Sequence, residues 1–192
     1  MENLIQDHKR LLDELGEVYQ RNIYKELKSD YRITGIIGAR GVGKTTYILD
    51  YLKKNYGDSS RALYVSADDI YFSNNNLVDL AEKFVREYDG EILCIDEIHK
   101  YPGWSRELKN IYDKYRKLKV IFSGSSSIDL VKEKYDLSRR AALRHLPGLS
   151  FREYLEMKGK GEFPRMSLNE IVKGKSSKEN AIAKTSDLFP LF

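Results

Sequence analysis

The chain has 192 residues, 41% of them hydrophobic, which is enough for the core of one ordinary domain, or of one domain and a fragment. Its 33 basic and 29 acidic residues give a formal charge of only +4, which permits contact with nucleic acid without indicating it. It contains no apolar run of about 18 residues that would span a membrane, and its start lacks the layout of a signal peptide. A single cysteine excludes an internal disulfide and, with three scattered histidines, disfavours a zinc site, so we expect a cytoplasmic protein.

An amphipathic helix is predicted at the start of the chain, because apolar residues recur at helical spacing between positions 4 and 19. A break is expected near Gly16. His8 lies on the apolar face of this helix, where a packed side chain is a better interpretation than a ligand. We therefore expect residues 1–30 to form an N-terminal helical segment.

A strand, a glycine-rich loop and a helix are predicted next. The apolar run at 33–37 leads into the pattern Gly-x-x-x-x-Gly-Lys-Thr at 38–45, and residues at helical spacing follow. In such a loop the glycines let backbone N–H groups face a phosphate chain, Lys44 neutralises the β- and γ-phosphates, and Thr45 can hold Mg²⁺. The flanking strand and helix favour this interpretation over a turn without a ligand. The residues predicted to bind the nucleotide are Gly38, Ala39, Arg40, Gly41, Val42, Gly43, Lys44, Thr45 and Thr46.

The rest of the sequence alternates short apolar runs with amphipathic helical patterns. Further strands are predicted at 62–66, 92–95, 120–122 and 142–146, and helices at 77–88 and 104–115. Strands and helices that alternate at this spacing form parallel sheets with helices on both faces. The predicted fold class is therefore α/β, a P-loop NTPase fold with a five-stranded, mostly parallel sheet.

Two carboxylates follow the third predicted strand. Asp96 and Glu97 come directly after the run at 92–95, at the edge of the sheet where ligands bind in open α/β folds. Asp96 would accept a hydrogen bond from a water on Mg²⁺, and Glu97 would orient and deprotonate the attacking water. The alternative is that they are two exposed acids at the end of a strand.

Ser123, a group of arginines and His99 are weaker candidates. Ser123 could lie between the γ-phosphate and the attacking water, or it could belong to a turn that caps the next helix. Arg139, Arg140 and Arg144 are candidates for a cation on the transferring phosphoryl group, although surface solubility explains at least two of them better. His99 could sense the nucleotide, but a hydrogen bond within its loop is the better interpretation.

Three phrases of the sequence resemble one group of prokaryotic AAA-type ATPases, within the AAA+ branch of the P-loop ATPases. They are GARGVGKTT at 38–46, DEIHKYPGW at 96–104 and LSFREYL at 149–155. The resemblance covers about residues 5–160 and implies an ATPase core over 31–160. Members of the group continue into a winged-helix-like region and an uncharacterised C-terminal domain. We therefore expect the chain to be a fragment, with a linker and an incomplete C-terminal segment at 161–192.

The resemblance implies roles at the matching positions. Asp96 and Glu97 are similar to the metal and water residues of the group, and Ser123 is similar to its sensor residue. Arg140 falls where the group often has an arginine, which implies a side chain offered to a neighbouring site. In such a sheet the strand that carries Ser123 would lie between the strands that lead to Lys44 and Asp96.

We expect Mg²⁺-dependent ATP hydrolysis that drives a conformational switch, with ATP and Mg²⁺ as the cofactors. A small-molecule or nucleotide kinase is one alternative, and a non-hydrolysing ATP-binding scaffold associated with nucleic acid is another. The helical lid of AAA+ proteins is absent or incomplete in this sequence, so slow turnover is expected of the fragment. A homo-oligomer or a protein partner, contacted through the missing C-terminal region, is left open.

Overall fold

A five-stranded sheet is the framework of the computed structural model, which describes residues 1–27, 31–125, 137, 140–159 and 168–169. The strands are β1 (Ile33–Ile37), β2 (Ala62–Ser66), β3 (Ile92–Asp96), β4 (Lys119–Gly124) and β5 (Ala141–His145). The helices are α1 (Glu2–Glu14), α2 (Ile23–Leu27), α3 (Lys44–Asn55), α4 (Leu77–Tyr88), α5 (Trp104–Lys114) and α6 (Phe151–Met157). The chain divides after Ser150 into two units, and α6 belongs to the second.

The strand order is β2-β3-β4-β1-β5, and every neighbouring pair is parallel. This confirms the predicted α/β fold, and it places β4 between β1 and β3, as the resemblance implied. Strand β1 passes close to both neighbours at Gly35, where an added Cβ would lie 2.5 Å from Phe122 and from Leu143. Because all five strands run the same way, their carboxyl ends meet at one edge of the sheet.

Helices cover both faces of the sheet and divide the buried apolar residues into two clusters. The α4–α5 core is the cluster that includes Leu80, Phe84, Trp104, Leu108 and Ile111. The α3 core is the cluster that includes Tyr47, Ile48, Leu49 and Leu52. Successive strand residues point to opposite faces, so Leu93 joins the first core and its neighbour Cys94 joins the second. Burial on both faces explains why β1 to β4 are mostly apolar, whereas β5 at the rim is only partly buried and includes Arg144 and His145.

Helix α1 lies against β2, the strand at one end of the sheet. Its Leu4 belongs to the α4–α5 core and its Leu12 to the α3 core, so the helix crosses the edge between the two layers. Midway along, the backbone N–H of Tyr64 donates to His8 Nδ1 at 3.3 Å. Burial, followed by the charge of Lys9, lowers the pKa of His8, which keeps the imidazole neutral and able to accept this bond. The interpretation of His8 as a packed side chain is confirmed.

The boundaries differ from the predicted ones mainly at the carboxyl ends of the strands. β3 includes Asp96, which pairs with Ser66 of β2, and β4 extends through Ser123 and Gly124, which pair with the end of β1. Pairing with one neighbour therefore continues each strand past its apolar run. Helix α2 and two short 3₁₀ helices, Ile70–Ser73 and Ile98–Lys100, were not predicted. Arg139 and most of the segment predicted at 161–192 lie outside the described residues.

None of the helices in the described part of the chain is long and apolar enough to cross a membrane.

Candidate functional site

A pocket of about 510 Å³ lies at the carboxyl edge of the sheet. This volume falls within the range of about 300–1,000 Å³ that is typical of small-molecule sites. One side of it is formed by the loop between β1 and α3, through Arg40, Gly41, Gly43, Lys44, Thr45 and Thr46. The other side is formed by residues at and beyond the ends of β2, β3 and β4, namely Asp68, Asp96, Glu97, His99, Lys100 and Ser125.

Glycines shape the loop for two different reasons. Gly41 and Gly43 have φ angles of 81° and 94°, a left-handed backbone conformation that residues other than glycine rarely adopt. Gly43 is also the N-cap of α3 and gives it no side-chain cap, so the first N–H groups of the helix are available to an anion. Gly38 is different, because a Cβ there would lie 2.3 Å from the carbonyl oxygen of Leu146. Close packing therefore requires glycine at position 38.

Lys44 is held inside the loop by backbone carbonyls. Its Nζ donates to the carbonyl oxygens of Gly38 at 3.0 Å and Ala39 at 2.8 Å. An ammonium group donates up to three hydrogen bonds and accepts none. The oxygen atoms of a phosphate chain in the pocket would offer the same acceptor chemistry with a full negative charge.

Four hydrogen-bond donors converge on the carboxylate of Asp96, which is only 3% exposed. Its Oδ2 accepts from the hydroxyls of Thr45 and Tyr64, and its Oδ1 accepts from the hydroxyl of Ser123 and the N–H of Glu97. A buried carboxylate without such partners would be costly, since burial penalises the charged form. The network therefore fixes a negative charge beside the hydroxyl of Thr45, at the end of the loop between β1 and α3.

Glu97 follows Asp96 in a left-handed conformation, with φ of 51° and ψ of 40°. A residue other than glycine stays in this region only where its surroundings hold it there. Here the N–H of Glu97 donates to Asp96 Oδ1 at 3.0 Å and to Ser123 Oγ at 3.2 Å. These bonds fix the backbone of Glu97, whose side chain lines the pocket.

The structure brings Lys44, Thr45, Asp96 and Glu97 together in the pocket, and it places the weaker candidates differently. Ser123 is fully buried and bonds to the carboxylate of Asp96 and the backbone N–H of Glu97. Among the described residues after β4, Ser125 lines the pocket. His99 lines the pocket too, but its Nδ1 is buried and has no hydrogen-bond partner among the described residues. The hydrogen bond expected within its loop is therefore not made by this atom.

Arg140 lies at the opposite, amino edge of the sheet, because it directly precedes β5. Its Nε lies 3.5 Å from Asp113, and its guanidinium lies 5.7 Å from the ring centre of Tyr112. Arg140 therefore lies at the edge of the sheet opposite to the pocket that Lys44 lines. Its role toward a neighbouring site stays a prediction.

Two side-chain oxygens suitable for binding Mg²⁺ lie close together at the end of the loop between β1 and α3. Mg²⁺ is usually bound through one or two protein oxygens, substrate phosphates and several waters. The hydroxyl of Thr45 and the carboxylate of Asp96, which are hydrogen-bonded to each other, fit this requirement. The residues present therefore suit a magnesium–nucleotide complex.

The fold and this pocket define an α/β protein of the P-loop nucleotide-binding class. A family profile described as an AAA domain matches residues 30–155, and the chain therefore belongs to the AAA domain family. The chain is also similar to an uncharacterized protein of Methanocaldococcus jannaschii, with 34% identity over 154 residues. The aligned part is 76% of this chain and 31% of that protein, so the chain spans less than a third of the relative's length. Family membership indicates a nucleotide-binding, ATPase-like function.

Proposed function

We propose that this chain binds ATP with Mg²⁺ in the pocket at the carboxyl edge and hydrolyses it to ADP and phosphate, as a conformational switch. One observation carries the proposal: the glycine-rich loop with Lys44 and the two carboxylates Asp96 and Glu97 line the same pocket. Membership in the AAA domain family supports the nucleotide as the ligand.

The phosphate chain is bound by the loop and by the start of α3. Lys44 exchanges the carbonyl oxygens of Gly38 and Ala39 for oxygens of the β- and γ-phosphates. Thr45, through its hydroxyl, and Asp96, through its carboxylate, would hold the Mg²⁺ ion. The ion would supply positive charge that offsets the negative charge of the phosphates.

Hydrolysis is assigned to Glu97, which accepts a proton from the attacking water as that water approaches the γ-phosphate in line with the leaving oxygen. Ser123 holds the carboxylate of Asp96 and the backbone of Glu97 in place, so it acts through both. Arg140 could reach a phosphate only in another molecule, because it lies at the far edge of its own sheet.

Calorimetry with ATP and MgCl₂ tests binding. We expect a clear heat of binding for the wild-type chain and a loss of affinity of about 100-fold or more for Lys44→Ala, because two or more charged hydrogen bonds are removed. Lys54→Ala is the matched control, since Lys54 is on the same helix and pairs with Asp50 away from the pocket. Equal affinities of the wild type and Lys44→Ala would refute the proposed site.

Phosphate release without an added acceptor separates the proposed activity from its alternatives. Hydrolysis releases phosphate from ATP alone, whereas a small-molecule or nucleotide kinase releases little until its acceptor is present. A scaffold binds ATP and releases none. The measurement is made under single-turnover conditions, so that slow hydrolysis by this chain is still detected.

A further inference from the structure

Tyr64 is buried beside the proposed metal site, and its hydroxyl donates to Asp96 Oδ2 at 2.8 Å. In the register of the sheet Tyr64 pairs with Cys94, so Asp96 is its diagonal neighbour, two residues further along β3 on the same face. Long aromatic side chains reach such diagonal neighbours across parallel or antiparallel strands. The pairing of β2 with β3 therefore directs the ring of Tyr64 along the strand toward the carboxyl edge.

The two oxygens of Asp96 are held from opposite sides. Ser123 and the N–H of Glu97 donate to Oδ1, whereas Tyr64 and Thr45 donate to Oδ2. Under the proposed function Thr45 is also the residue whose hydroxyl oxygen binds the metal. With Thr45 as a metal ligand, Tyr64 would be the remaining donor to Asp96 Oδ2 among the described residues.

Tyr64 is well suited to that task. It is 7% exposed, it lies on a strand in the sheet, and its backbone N–H is bonded to His8 of α1. Its phenolic hydroxyl is an uncharged donor, and it already bonds to Asp96 Oδ2 at 2.8 Å. A rigid donor of this kind restricts rotation of the carboxylate without adding charge to the pocket.

We infer that Tyr64 is a positioning residue for Mg²⁺: it holds the carboxylate of Asp96 in the orientation that the metal and its waters require. This inference rests on the proposed function, because it presumes that the pocket takes a magnesium–nucleotide complex. Outer-shell partners of metal ligands commonly change metal affinity by about 10- to 100-fold when they are removed. Tyr64 would be such a partner on a strand that the phosphate-loop motif does not include.

The test measures the Mg²⁺ dependence of ADP binding in the wild type and in Tyr64→Phe, which removes only the hydroxyl. We expect the MgCl₂ concentration at half-maximal binding to rise about tenfold, while ADP affinity in EDTA stays unchanged. Tyr101→Phe is the matched control, since it also removes a 2.8 Å tyrosine–carboxylate hydrogen bond, from Glu107. Its Mg²⁺ dependence should equal that of the wild type.

The possible outcomes distinguish failure of the inference about Tyr64 from failure of the proposed function. If the wild type shows no Mg²⁺-dependent binding of ADP, the proposed function fails. If the wild type shows it and Tyr64→Phe has the same Mg²⁺ dependence, even with a lower melting temperature, Tyr64 is merely structural and the inference is wrong. Should Tyr64→Phe not fold, Tyr64→Met gives the same comparison with a flexible apolar side chain in the same space.

Discussion

The two edges of the parallel sheet carry polar side chains in opposite environments. At the amino edge, Arg61 and Glu91 precede neighbouring strands and form an ion pair whose side chains are 57% and 48% exposed. At the carboxyl edge, Asp96 is 3% exposed and accepts from four donors. Exposed ion pairs contribute little to stability, whereas a buried polar network is costly to disrupt. The comparison teaches that burial of the charges, more than their number, distinguishes the edge that carries the candidate site.

The amino edge has a structural task. Arg32, directly before β1, donates to the carbonyl oxygen of Tyr112 at 3.0 Å, and its guanidinium stacks 3.7 Å from the centre of that ring. A cation at the carboxyl end of a helix satisfies free carbonyls and complements the helix dipole. Arg32 therefore ties the start of a central strand to the end of α5.

Glutamine substitutions at the two ends of β3 give the sharpest contrast between the edges. We expect Glu97→Gln to lower ATP turnover by about 100-fold or more, because an amide cannot take the proton, while ATP binding persists. Glu91→Gln, at the amino end of the same strand, should leave turnover unchanged. Single-turnover phosphate release and calorimetry measure the two quantities, and undiminished turnover in Glu97→Gln would remove Glu97 from the mechanism.

Removal of a serine hydroxyl at each edge is expected to have a smaller effect. Ser123→Ala should lower the free energy of unfolding by about 1–2 kcal/mol and reduce turnover, because Asp96 and the N–H of Glu97 each lose a buried partner. Ser59 accepts from the N–H of Arg61 in an exposed position, so Ser59→Ala should change stability by less than about 0.5 kcal/mol. Urea unfolding measures the free energy of unfolding of both variants. Equal decreases in Ser123→Ala and Ser59→Ala would contradict the expected difference between the two edges.

The third region to compare is the rim of the sheet, where His8 is buried against β2. Here we expect the free energy of unfolding to depend on pH. The folded-state pKa of His8 is lowered from 6.5, so below pH 6.5 the unfolded state binds more protons than the folded state. This contribution to stability is complete above pH 6.5 and is lost as the pH falls toward the lowered folded pKa. Urea unfolding between pH 8 and pH 5 should show a shallower fall in His8→Gln than in the wild type.

The smallest effect is expected at the amino edge itself. Arg140→Gln should change the free energy of unfolding by at most about 1 kcal/mol, with less change in high salt, because its pairing with Asp113 is partly exposed. The same variant tests the role toward a neighbouring site. Turnover that falls only in assembled protein would support that role, and unchanged turnover in every state would leave Arg140 structural.

The sequence predicted the strands well, because β1 to β4 contain short apolar runs buried on both faces. Strand β5, at the rim of the sheet, is only partly buried and has a weaker apolar pattern. It also predicted that Lys44, Thr45, Asp96 and Glu97 would lie close together, because the carboxyl ends of parallel strands share one edge of the sheet. All four line one pocket. It missed Tyr64, because a tyrosine inside an apolar run looks like a core residue and its diagonal contact depends on the register of β2 and β3.

The direction of a polar side chain at a strand end was harder to predict. Two interpretations of Ser123 were open, a place near the phosphate or one in a turn before the next helix. The residue lies in β4, one position beyond the pair Ile95–Phe122, and bonds to Asp96 in the neighbouring strand. The place of Arg140 depends on whether it precedes or follows its strand. The predicted strand at 142–146 and the observed strand, which begins at Ala141, both follow Arg140, so the predicted strand already placed this arginine at the amino edge.

Helix α1 has a consequence for the behaviour of the chain toward its own copies. It lies along β2 with one end in each core. His8 accepts the hydrogen bond of the Tyr64 backbone N–H, which would otherwise be available to pair with another strand. An uncovered strand at the rim of a sheet is a template for intermolecular pairing and aggregation. A version of the protein without residues 1–14 would present the largely apolar strand Ala62–Ser66 to other molecules, and it should precipitate or form β-rich aggregates at concentrations where the longer chain stays dispersed.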